Sequence, residues 1–107
     1  MLRCSDDSLY TGITNDVKRR MTEHVNATAK AAKYTLHHRP VLLEALWECE
    51  NRSLASKLEY RIKQLTKVKK EKLIKNNDVF SDMLKKIAAE NYHRVEIENP
   101  ILNDLIK

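Results

Sequence analysis

The chain has 107 residues, 42% of them apolar, and a formal charge of +5. This length and apolar share suit one core of modest size and exclude a chain disordered by composition. No apolar run approaches the roughly 20 residues of a membrane span, and Met1-Leu2-Arg3-Cys4-Ser5-Asp6-Asp7 meets charge too early for a secretory signal, so a cytoplasmic location is expected.

Leu2-Arg3-Cys4 reads as the end of a strand, Ser5 to Ser8 as a turn, and Leu9 to Ile13 as a second strand, together a hairpin. Thr14 to Asp16 supply capping oxygens for a helix over about 15–26, whose apolar stripe is Val17, Met21 and Val25. A polar, basic connection runs from Asn26 to Arg39. Val41 to Trp47 then predicts one largely buried strand. Asn51 and Ser53 offer caps to a helix striped by Leu54, Leu58, Ile62 and Leu65. A short helix over about 67–75 follows, and Asn76-Asn77 breaks it. Val79 to about Asn91 predicts another helix, with Met83, Leu84 and Ile87 inward. Val95 to Glu98 alternates like a strand, and Ile101 to Ile106 suggests a short amphipathic helix. Three strands covered by helices make a small α+β layer structure. Residues 1–77 are expected to form the main domain and 78–107 a C-terminal helical extension packed on it or following it.

Arg20 stands three residues after Val17 and four before His24, so the three share one side of their helix. An arginine beside an apolar stripe offers phosphate a planar fork; the alternatives are that it snorkels, or that it pairs with a carboxylate such as Glu59. Glu59 borders the stripe of the next helix. One carboxylate there can hold a hydrated magnesium, or pair with Lys63 four residues on. Arg61, Lys63, Lys67, Lys69, Lys70, Lys72 and Lys75 meet only Glu71 in return, as on a nucleic-acid backbone surface or on an ordinary solvated helix. Lys30, Lys33, His37, His38 and Arg39 surround Tyr34 in a loop suited to tracking a nucleic-acid strand. Gly12, the sole glycine, marks a bend or a close approach just past Tyr10. Cys4 and Cys49 form no C-x-x-C pair, so two reduced thiols are expected and structural zinc is not.

In this order the motifs resemble the GIY-YIG nuclease family, in particular its small stand-alone bacterial members. The resemblance is carried by the run from Ser8 to His24, by Lys33-Tyr34-Thr35, by Arg39-Pro40-Val41 and by Leu58-Glu59-Tyr60-Arg61-Ile62-Lys63-Gln64-Leu65-Thr66-Lys67. It covers about residues 1–74. It implies a three-stranded antiparallel sheet flanked by helices, with a truncated first strand, because the family's spacing places the first-motif tyrosine immediately before Met1. It implies catalytic roles for Tyr10, Arg20 and His24, and a metal-binding role for Glu59. Alanines stand at 31 and 32, where the family usually has glycines before its Lys-Tyr-Thr segment.

The expected activity is a magnesium- or manganese-dependent DNA endonuclease in repair or processing. Arg20 and the metal would stabilise the charge that grows on the phosphodiester. A free phenol with a pKa near 10 is a poor base, so Tyr10 needs help from Arg20, the metal or His24. Lys30, Lys33, Tyr34, Arg39, Lys63 and Lys67 would bind nucleic acid. The alternatives are a non-catalytic nucleic-acid-binding module of the same fold, or a domain that binds a protein partner through the tail from Tyr92.

Overall fold

The N-terminal hairpin forms as expected in the computed structural model, which describes residues 1–26 and 38–105. Strands β1 (Leu2–Cys4) and β2 (Leu9–Tyr10) are antiparallel, with Leu2 opposite Tyr10. The Asp7 amide donates to the Cys4 carbonyl at 2.9 Å, and the Cys4 amide to the Ser8 carbonyl at 2.8 Å. Asp7 takes φ 68°, a left-handed conformation that aspartate tolerates better than most side chains. Beyond Tyr10 the strand expected to reach Ile13 has ended.

Helix α1 (Val17–Val25) starts where Asp16, in extended backbone, accepts the Arg19 amide at 3.1 Å. Strand β3 (Pro40–Leu43) pairs with the other side of β1, giving the sheet order β2-β1-β3. Helix α5 (Leu102–Leu105) packs on β3 and on α1, and the Leu43 amide donates to the Pro100 carbonyl at 2.8 Å. These segments, Met1–Glu44 with Ile97–Lys107, make one compact unit. Leu2, Cys4, Met21, Leu43 and Leu102 are buried in it. Burial pushes the Cys4 thiol pKa up, so Cys4 packs as a protonated small apolar group.

The second unit is Ala45–Glu96. Its frame is a two-stranded antiparallel sheet of β4 (Leu46–Glu48) and β5 (His93–Val95). Helices α2 (Arg52–Lys63) and α3 (Lys67–Lys75) are capped by the side chains of Asn51 and Thr66. Leu58 and Ile62 of α2 and Leu73 of α3 are buried, as the stripe of α2 predicts. Past a 3-10 turn at Asn77–Val79 comes α4 (Phe80–Met83), and a second 3-10 turn spans Ala89–Asn91.

Three sequence-based expectations are corrected. The apolar run Val41 to Trp47 is two strands in two sheets, not one. The chain changes sheet at Glu44 and Ala45, where the Glu44 amide donates to the Met1 carbonyl and its carboxylate takes Arg3 at 3.2 Å. The helix expected over 79–91 is α-helical only at Phe80–Met83, and Leu84 leaves the helical region at φ −119°, ψ 53°. Phe80 there packs against Trp47 and Tyr92, the rings tilted and their centroids 6.0 and 5.8 Å away. The tail strand lies at His93–Val95, not 95–98.

Candidate active site

Tyr10 closes β2 and His24 is the penultimate residue of α1, and the first unit brings their rings edge to face, centroids 5.3 Å apart. Gly12 makes that pose possible. A Cβ at Gly12 would lie 2.8 Å from both Cε2 and the hydroxyl of Tyr10, so the phenol folds over the glycine of its own strand exit. Asp16 fixes where α1 begins, which sets the rotation that turns Met21 and His24 inward.

His24 is 2% exposed, an unusual depth for a histidine. Burial first, then the nearby Arg20 charge, lower its pKa to about 4, while Glu23 opposes them. At neutral pH the ring is uncharged, and one nitrogen is a hydrogen-bond acceptor. Arg20 is half-buried, and its guanidinium meets Glu23 at 3.4 Å, one turn along the helix. Glu23 is thus a carboxylate partner of Arg20 within the first unit. The i, i+3 spacing of Arg20 and Glu23 is the sequence signal that finds this pair. Thr11, between Tyr10 and Gly12, was not singled out by its pattern. Its hydroxyl is buried without a hydrogen-bond partner among the described residues.

Glu59 belongs to the second unit, on the border of the α2 stripe, with its side chain about a quarter exposed. Lys63 approaches it at 3.7 Å, the i, i+4 pair that the spacing suggested. A lone helix carboxylate with one loose ion pair fits a magnesium ion that keeps most of its waters, and does not fit a zinc cage. Among the described residues no three His, Cys, Asp or Glu side chains gather into a metal site. Lys67 is exposed at the start of α3, and Arg39 is exposed at the entry to β3, its carbonyl accepting the Ser5 amide at 2.7 Å. Lys30, Lys33, Tyr34 and His37 lie outside the described residues. His38, read as a loop residue, binds Asp6 through Nδ1 at 2.6 Å. Hydrogen bonds from the Ser8 hydroxyl and from His38 hold the Asp6 carboxyl well below the usual carboxylate range.

The α+β architecture, with its β2-β1-β3 antiparallel sheet and Tyr10 packed on a histidine of α1, fits a nuclease-like domain of the family that the chain matches. The chain belongs to the GIY-YIG catalytic domain family, whose model matches residues 1–73. It is 49% identical over 78 residues to UPF0213 protein DP2720 of Desulfotalea psychrophila, covering 73% of this chain and 70% of that protein. Over 98 residues it is 43% identical to UPF0213 protein FN1575 of Fusobacterium nucleatum, covering 92% and 91%. Over 89 residues it is 41% identical to UPF0213 protein YhbQ of Salmonella typhimurium, covering 83% and 87%. No solved structure matches the chain. Among the described residues no helix is long and apolar enough to cross a membrane.

Proposed function

We propose that the chain is a magnesium-dependent endonuclease that hydrolyses DNA phosphodiester bonds, acting in the cytoplasm in DNA repair or processing. The observation that carries this reading is the packing of Tyr10 on a buried, uncharged His24, with Arg20 on the same helix. Hydrolysis joins a water oxygen to phosphorus and breaks the bond to the sugar oxygen. The attacking water loses a proton and the departing oxygen gains one. In this reading Tyr10 takes that proton, and the neutral His24 packed against it orients the phenol or shares the proton. Arg20 offers its fork to the phosphate oxygens as their charge grows, exchanging the long Glu23 contact for a phosphate one. Glu59 is the residue that would hold magnesium or manganese, which when bound supplies positive charge at the phosphodiester. Lys30, Lys33, Tyr34, Arg39, Lys63 and Lys67 serve as backbone contacts.

The test is cleavage of single-stranded, duplex and branched DNA by purified protein with magnesium or manganese. Cleavage is expected to vanish with a chelator and to fall on the order of 100-fold or more in Arg20→Ala and in Glu59→Ala, with unchanged far-UV circular dichroism. Retention on DNA that weakens with salt, without any cutting, would establish the non-catalytic module instead.

A further inference from the structure

The basic charge of the chain is concentrated in one place. Between Lys57 and Lys75 there are eight lysines and arginines against two glutamates, a net +6, while the whole chain carries +5, so the remainder sums to −1. Within that stretch, Lys69, Lys72 and Lys75 follow one another at intervals of three on α3, and all three are exposed. Residues three apart are surface neighbours on a helix, each about 4.5 Å further along the axis, so the three ammonium groups form a row. Like charges at this spacing weaken a helix by a few tenths of a kcal/mol per pair, and no ion pair to any of the three is found among the described residues. Leu73 is buried and anchors α3, while Lys69, Lys72 and Lys75 all stay exposed.

We propose that this lysine row on α3 is a docking surface for the phosphate backbone of a nucleic-acid duplex, separate from the residues placed at the chemistry. The inference rests on the nuclease reading for the kind of polyanion, and adds where the chain grips it. A linear, evenly spaced row of cations complements a linear array of phosphates. A membrane-docking helix would carry large apolar residues beside its charges, and the exposed face of α3 has only Val68, 65% exposed. A protein interface would need an apolar centre that this face lacks. Lys70 belongs to the same helix but is half-buried, and burial and the Lys63 charge lower its pKa, so it is not part of the row.

The experiment is fluorescence anisotropy of a 30-base-pair DNA duplex with full-length protein in chelator, titrated across potassium chloride concentrations. Lys69→Gln/Lys72→Gln is compared with Lys85→Gln/Lys86→Gln, which removes the same charge from two other exposed lysines, and with Lys69→Arg/Lys72→Arg. The row variant is expected to bind several-fold to tenfold more weakly and to lower the slope of log affinity against log salt by about 2. The Lys85/Lys86 variant and the arginine variant are expected to stay within about twofold of wild type. Three results overturn the proposal: equal losses in both glutamine variants, no loss in the row variant, or no salt-dependent duplex affinity in the wild type. Loss of binding to vesicles containing phosphatidylglycerol, with duplex binding intact, also overturns it and assigns the row to a membrane surface. Binding through the row by a wild type that never cuts DNA would sink the nuclease reading and leave this one standing.

Discussion

Gly12 is exposed, yet it controls where the Tyr10 phenol lies. The Cβ of Gly12→Ala would meet the far end of the Tyr10 side chain, which can swing away cheaply, so the fold would lose about 1 kcal/mol or less. The swing would take the phenol off His24. Gly12→Ala is therefore expected to cut turnover at least tenfold while thermal denaturation shifts by only a few degrees, a contrast read by pairing cleavage rates with melting curves. His24 gives a pH signature of known sign. Its folded pKa of about 4 lies below the unfolded value near 6.5, so the unfolded chain takes up a proton first as pH falls. Stability is full above about pH 6.5, declines between 6.5 and 4, and has lost roughly 3 kcal/mol below that window. Urea denaturation at pH 7.5 and 4.5 should show this decline in the wild type and much less of it in His24→Phe.

At the scale of elements, polar side chains decide where helices end. Arg94 on β5 donates to the carbonyls of Leu73 and Ile74, at 3.2 and 3.0 Å, near the end of α3. The same guanidinium lies over the Trp47 ring, 5.0 Å from its centroid, and the Trp47 indole donates to Asn77 at 2.9 Å. One arginine thus ties the end of α3 to the β4-β5 sheet. Arg94→Ala is expected to cost about 2–3 kcal/mol, measured by chemical denaturation, because it frees two carbonyls and removes a cation–π contact. Arg94→Lys should recover only part of this, since an ammonium lacks the planar fork that serves both carbonyls and the ring. The capping residues Asp16 and Asn51 were readable in advance because a cap acts within three residues of chain. The brevity of α4 was not, because the aromatic partners of Phe80 come from residues 47 and 92.

At the scale of the molecule, the first unit is discontinuous in sequence. Its core is closed by Leu102, 1% exposed, more than fifty residues after β3. Leu102→Ala is expected to destabilise the chain by about 2–5 kcal/mol in urea denaturation, the range for a leucine removed from a core. Its neighbour Ile101 is 47% exposed while its backbone bridges Leu42. Leu102 is thus already used inside the fold, and a partner bound at the tail could not grip it.

The sequence by itself determined the hairpin, the start of each long helix, the stripes of α1 and α2, and the candidates Tyr10, Arg20, His24 and Glu59. Each of these is written in spacings of two to four residues, the range over which turns, caps and helix faces act. Only the tertiary structure decided that Val41 to Trp47 serves two sheets, that the segment after Val79 is mostly not α-helical, and that Arg20 leans on Glu23. It also decided the state of the Leu9 to His24 stretch. The spacing could put His24 beside an apolar stripe, but its loss of charge at neutral pH needs burial under Tyr10 and next to Arg20. Burial is set by what distant segments bring to a residue, and local pattern carries no record of that.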